Sequence, residues 1–298
     1  MKIFDCFMFY DESMLLDVRL NILNKFVDYF IIVESEFFHN GKKRQLKFDI
    51  KNYDKFKDKI IYIVQKDQPS GILSINENDN EGIKSSKLIK NAHLRENHQR
   101  NQIFQGLTDA QPDDLILISD VDEIPNLEIV NLKETKNKFI IFEQKIFYYK
   151  FNRILSGFIW YGTKACKMKF LKSPQWLRNI KNKSFPFWRI DTFFSDTKYI
   201  DKNFIKNGGW HFSNLKSPND IELKLNSYLH HRDYEVEKLG IKKITEVITK
   251  NETIYDMYGD KRSKKFKDDK RKKLDKCDIN ILPKFVQNNI EKFKNWID

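Results

Sequence analysis

Four short apolar runs constrain what this chain can become. Residues 2–7 (KIFDCF), 29–33 (YFIIV), 59–64 (KIIYIV) and 115–118 (LILI) are rich in Ile, Val, Phe and Tyr with little polar alternation. Such runs suit strands buried on both faces, the condition of a parallel sheet covered by helices. Helical periodicity fills the gaps between them. Leu15, Val18, Ile22 and Phe26 recur on one face behind Ser13, the expected cap. A long polar helix is expected over 85–107, with Leu88, Ile89 and Ala92 near its start and Ile103, Phe104 and Leu107 near its end. The first half therefore reads as α/β, and in such sheets ligands sit at the carboxyl ends of strands. That rule singles out Glu34, after the second run, and Asp120 to Glu123, after the fourth.

The second half reads differently. Residues 138–151 and 159–168 are expected to pair as antiparallel strands added to the sheet, followed by a loop-rich stretch over 173–207. Helices are expected over 219–232 and 234–255. Aromatic residues make up 14% of the chain, too much apolar surface for a disordered protein to leave in water.

The formal charge of +12 invites a nucleic-acid reading. Ten Lys/Arg and four Asp within 260–276 account for half of it. Those charges are interspersed and lack the aromatic partners of a stacking platform, so a nucleic-acid or other polyanion partner is not expected. A solvated helix or a patch that meets anionic membrane fits better. Cys6, Cys166 and Cys277 are odd in number and form no CxxC pair, which excludes a disulfide framework and fits a reducing compartment. Asp5, Asp11 and Glu12 break any apolar signal core, and the longest charge-free run, 154–163, is too short to span a bilayer. The expectation is a cytoplasmic chain, peripheral at most to the inner face of a membrane.

Asp120-Val121-Asp122-Glu123 carries the clearest chemistry. Strand alternation puts Asp120 and Asp122 on one side, where their carboxylates would repel unless a cation joins them. Hard oxygen ligands suit Mg²⁺ or Mn²⁺, which share such sites with substrate phosphates. The plain alternative is a solvated acidic turn. Ile124-Pro125, which fixes the chain's exit, and the buried run in front favour function.

The stretch from Asp113 to Pro125 (DDLILISDVDEIP) resembles the metal motif of glycosyltransferase family 17. Three further blocks fit in order: DCF with LLDVRL leading to FVDYFIIVES near the start, HNG with LKF after it, and Gly209-Trp210-His211-Phe212-Ser213 in the third quarter, with SYLH downstream. Glu96 and Gln99-Arg100-Asn101 resemble microbial members. The resemblance spans roughly residues 3–235. It implies a GT-A fold: a Rossmann-like, mostly parallel central sheet with helices on both sides and a small antiparallel extension. It also implies an inverting, metal-dependent transferase that moves N-acetylglucosamine from UDP-N-acetylglucosamine to a hydroxyl of a glycan or lipid-linked glycan, in β linkage. The expected organisation is a transferase domain over 1–255, with a nucleotide-sugar half (1–125) and an acceptor half (126–255), then a basic helical extension over 256–298.

Roles follow from that resemblance. Asp122 is the expected metal ligand, Asp120 a ligand or a partner of ribose, and His211 a third contributor, the alternative being a core histidine beside Trp210. Glu34 is expected at uracil or ribose, unless it merely caps a neighbour. Gln99 and Arg100 are expected at the donor diphosphate, unless they form a solvated face, and His230 takes a weaker donor or acceptor assignment. For the catalytic base the expectation is Asp191, with Glu123, Glu143 and Asp196 as other carboxylates. A metal-dependent nucleotidyltransferase or sugar-nucleotide hydrolase would share this fold. Phe7 to Glu12 follows the first strand, where nucleotidyltransferases carry a Gly-rich basic loop.

Overall fold

The computed structural model describes residues 1–229, 231–255 and 271–298. Its strands are β1 (Ile3–Phe9), β2 (Tyr29–Ser35), β3 (Ile60–Gln65), β4 (Leu115–Asp120), β5 (Glu123–Pro125), β6 (Phe139–Tyr148), β7 (Arg153–Lys167), β8 (Lys202–Ile205), β9 (Gly209–Ser213) and β10 (Asp275–Lys276). Its helices are α1 (Ser13–Leu23), α2 (Glu81–Asn101), α3 (Pro174–Asn179), α4 (Pro218–Ser227), α5 (His231–Val236), α6 (Gly240–Thr249), α7 (Lys284–Gln287) and α8 (Ile290–Phe293). The sheet runs β3-β2-β1-β4-β7-β6-β9-β5, with β10 against β7 and β8 against β6.

The four apolar runs become the parallel half, β3-β2-β1-β4. Both faces of β1 are covered, which is why its sequence does not alternate in polarity. Ile3, Phe7 and Phe9 meet α1 through Leu16, Leu20 and Leu23, while Phe4 and Cys6 face Ile103, Leu107 and Leu177 on the opposite side. Each fully buried Leu or Phe contributes about 1.5–3 kcal/mol. β4 then pairs antiparallel with β7 and ties the two halves into one sheet.

Several elements differ from expectation, each for a local reason. Glu12, not Ser13, is the residue before α1, and its side chain makes no cap bond. α2 starts at Glu81 because the Asn80 side chain accepts from Ile83 N, and it gives way at Gln102 to a 3₁₀ turn. The antiparallel part is not small: β6 and β7, at 10 and 15 residues, are the longest strands among the described residues. The last expected helix is broken ahead of α6 by Gly240 at φ +76°. Of the expected basic extension, residues 256–270 lie outside the described residues. The described remainder folds back on the domain, with β10 on β7 and Leu282, Val286 and Phe293 in the core beside α1. No helix among the described residues is long and apolar enough to cross a membrane.

Candidate active site

The acidic turn after β4 is fixed from beneath by one side chain. Arg19 on α1 is fully buried and forks onto Asp5 of β1 at 2.6 and 2.8 Å. Its other donors reach the carbonyl oxygens of Asp120 (3.0 Å), Val121 (3.3 Å) and Glu123 (2.8 Å). A planar guanidinium holding three of the turn's four carbonyls leaves it little freedom.

Three carboxylates then meet three different fates. Asp120 accepts from Arg100 Nη2 at 3.0 Å and from Arg178 Nη2 at 3.3 Å. Burial opposes its ionisation, but the two guanidiniums prevail and hold its carboxyl well below the usual range. Asp122 lies 3.5 Å from His211 Nε2, and there too burial is outweighed, by the imidazole, so the carboxyl is lowered. Glu123 points away and is fully engaged. It takes two bonds from Arg178 (2.7 and 2.9 Å), one from Trp160 Nε1 (2.7 Å) and one from Asp120 N (2.9 Å). With no exposed surface, it positions Arg178 and Trp160 and is not available as a base.

His211 arrives by strand pairing. β9 runs against β5 with Glu123 opposite His211, and Phe212 N donates to the Asp122 carbonyl at 2.9 Å. Gly209, at φ +139°, makes this approach possible, since a Cβ there would meet Ile124 O at 2.2 Å. The glycine thus admits β5. The Trp160 ring lies 4.6 Å from that of His211, whose buried Nδ1 finds no hydrogen-bond partner among the described residues.

Asp120, Asp122 and His211 open into a cavity of about 500 Å³ at the carboxyl end of β1 and β4. Phe9, Tyr10, Phe37, Phe38, Tyr228 and Tyr255 supply aromatic walls. Charged residues without a predicted role also line it, Lys224 and Glu12 among them. Lys224 comes from α4, which is tied to the 36–41 loop by Asn40 Nδ2 on Asn226 O at 3.0 Å. Burial works against its charge, but Asp122 and Glu12 overcome that cost and raise its pKa. Glu12 accepts from Asp11 N at 3.1 Å and has Lys216 Nζ 3.4 Å from its other oxygen. Burial pushes its carboxyl up, with Lys224 opposing and Asp122 adding to the rise. Of the four lining carboxylates, Glu12 alone is raised; Glu96, Asp120 and Asp122 are all lowered.

Other predicted residues fall elsewhere. Glu34 is fully buried and spends its oxygens on Arg44 (2.9 Å), Tyr62 (2.8 Å) and the amides of Lys47 (2.7 Å) and Phe48 (3.0 Å). It pins the 36–48 loop and has no capacity left for a nucleotide. Gln99 does line the cavity, 3.2 Å from His39 Nε2. Arg100 does not: Glu96, Gln175 and Asp120 take its donors, so it orients Asp120 from behind. Asp191, Glu143 and Asp196 are absent from the lining. Asp191 is half exposed and paired with Arg189 and Lys198, and Asp196 is paired with Lys172. His230 lies outside the described residues.

No three His, Cys, Asp or Glu side chains converge as a ready-made metal cage among the described residues. Asp120, turned toward its arginines, drops out of the expected trio and leaves the Asp122–His211 pair. Two protein donors suit a divalent ion whose remaining positions go to substrate phosphates and water.

An α/β sheet with a charged, aromatic-walled cavity at the carboxyl end of its parallel strands is the build of an enzyme acting on a polar small molecule. The chain belongs to glycosyltransferase family 17, whose sequence pattern matches residues 1–297, and it is a glycosyltransferase, with a sugar donor and a glycan acceptor. Among curated proteins none matches it. The crystal structure of HddC from Yersinia pseudotuberculosis is similar over 70% of this chain and 92% of that one, at 8% identity and a TM-score of 0.32. So loose a likeness carries no argument.

Proposed function

We propose that the protein is an inverting, metal-dependent transferase of GT-A architecture that takes UDP-N-acetylglucosamine as donor. The observation that carries this reading is the cavity's division of charge: an Asp122–His211 pair, a half-buried cation at Lys224 and one carboxylate of raised pKa at Glu12. Support for the architecture comes from a parallel half joined to a mixed half at β4, with the cavity at the join.

Asp122 and His211 would hold Mn²⁺ or Mg²⁺, the imidazole favouring Mn²⁺. Such an ion supplies Lewis acidity to the donor's diphosphate. Asp120, immobilised by two guanidiniums, keeps lone pairs for ribose hydroxyls. Tyr10 and Phe38 offer faces to the uracil ring. The acceptor hydroxyl gives its proton to Glu12 as its oxygen bonds to the anomeric carbon. The bond from that carbon to the diphosphate oxygen breaks, and its electron pair leaves with the diphosphate, where Lys224 meets the new charge. Glu12 suits this task because it alone of the four lining carboxylates has a raised pKa, which favours accepting a proton.

The test is a thermal-shift titration with UDP-N-acetylglucosamine, with and without Mn²⁺, followed by UDP release. Stabilisation that requires Mn²⁺ and disappears in Asp122→Ala is expected. No stabilisation by any UDP-sugar would overturn the reading.

A further inference from the structure

The loop between α3 and β8 turns its largest apolar side chains outward. Phe187, Trp188, Ile190, Phe193 and Phe194 are 76, 68, 71, 75 and 86% exposed, and none joins a core cluster. Side chains of this kind are normally buried, and a contiguous exposed group of them marks a contact surface.

The loop is braced, not loose. Arg189 forks onto Asp191 with two bonds of 2.7 Å, and Lys198 reaches the same carboxylate at 2.7 Å. Lys181 N donates to Thr197 O at 2.9 Å, and Trp176 Nε1 to Asp196 O at 2.6 Å. Phe185, at the base, is buried, with Lys202 Nζ 4.5 Å from its ring centre. The frame therefore presents the apolar tip; it does not hide it.

Charge around the tip is one-sided. Residues 181–202 hold five Lys/Arg and three Asp. All three carboxylates are occupied: Asp191 by Arg189 and Lys198, Asp196 by Lys172, and Asp201 by the Asn137 amide and Lys138 N. Lys181 and Lys183 are exposed and close no ion pair among the described residues.

We propose that this loop docks the enzyme on an anionic lipid surface, with Phe187, Trp188, Ile190, Phe193 and Phe194 entering the headgroup boundary and Lys181 and Lys183 meeting lipid phosphates. Aromatic residues beside lysines are the chemistry of the membrane interface. A glycan would need free polar groups beside the rings, and the carboxylates and Arg189 of this loop are already paired. Arg178 on α3, which grips Asp120 and Glu123, lies just ahead of the loop, so docking would hold the reaction centre beside lipid-borne acceptors. The membrane contact is thereby assigned to this loop in place of the Lys-rich 260–276 segment. It does not depend on the donor or the metal.

Sedimentation with phosphatidylcholine vesicles, with and without phosphatidylglycerol, tests this. Wild type should pellet with the anionic vesicles, and Phe187→Ser/Phe193→Ser/Phe194→Ser should bind them at least about tenfold more weakly. Lys181→Glu/Lys183→Glu should lose the preference for anionic lipid. Trp188→Phe keeps the loop's apolar character, and it should still pellet while losing fluorescence quenching by brominated lipid. Wild type that stays in solution, or a triple variant that pellets equally, overturns the proposal. So does a concentration-dependent dimer that the triple variant abolishes without any change in lipid binding, since the surface would then serve a second copy.

Discussion

Two connections in this molecule treat carboxylates in opposite ways. The short turn from β1 to α1 carries Glu12 into the cavity, where burial raises its pKa beside Lys224 and Asp122. The long loop from α3 to β8 carries Asp191 and Asp196 at the surface, each paired with cations from its own neighbourhood. The turn at a strand's carboxyl end is short and hemmed in by α4, so it has nowhere to place a side chain except in the site. A long loop is free to satisfy its charges locally, and charges so satisfied do no chemistry.

The sharpest test of this contrast is a pair of substitutions. Glu12→Gln should lower kcat about 10²–10⁴-fold with donor affinity retained, since only the proton acceptor is removed. Asp191→Asn should leave kcat within about twofold, because an exposed, locally paired carboxylate contributes little. Equal losses in both would break the contrast.

The next effect is on stability. Arg178→Met strands Glu123, which has no exposed surface, and should cost about 3–5 kcal/mol, read by urea unfolding. Arg189→Met, the matching change in the long loop, should cost under about 1 kcal/mol.

The dependence on pH is smaller. Glu12 must be ionised to accept a proton, and its pKa lies above the usual carboxylate value. Turnover should therefore fall about tenfold per unit as pH drops below that raised pKa, in a limb that Glu12→Gln removes. Asp122, held low by His211, stays ionised through that window and should not contribute to the limb. A second limb surviving in Glu12→Gln would locate the base elsewhere.

The parallel half was legible because its strands are covered on both faces and leave uninterrupted apolar runs. Asp120, Asp122 and His211 were legible through their blocks, and the cavity gathers all three. Glu12 was not, because a carboxylate in a turn reads as solvated until α4, more than two hundred residues later, closes over it. Lys224 was hidden for the same reason: its role depends on facing Glu12 and Asp122, not on its neighbours in sequence. Asp191 misled because nearness to the Gly-Trp-His block along the chain is not nearness in space. Glu34 misled because its partners, Arg44 and Tyr62, come from a loop and a strand that follow it.

The pairing of β5 with β9 also bears on how the enzyme comes into being. The chain emerges from the ribosome with β4 and its acidic turn nearly ninety residues ahead of His211. The parallel half can form early, from elements adjacent in sequence, and Arg100 and Arg178 precede β9, yet Asp122 lacks its His211 partner until β9 arrives. The site therefore comes into existence late, when β9 slides against Pro125 and Ile124 past a glycine without a side chain and α4 follows with Lys224. A nascent chain stalled before that point would be largely folded and catalytically blank.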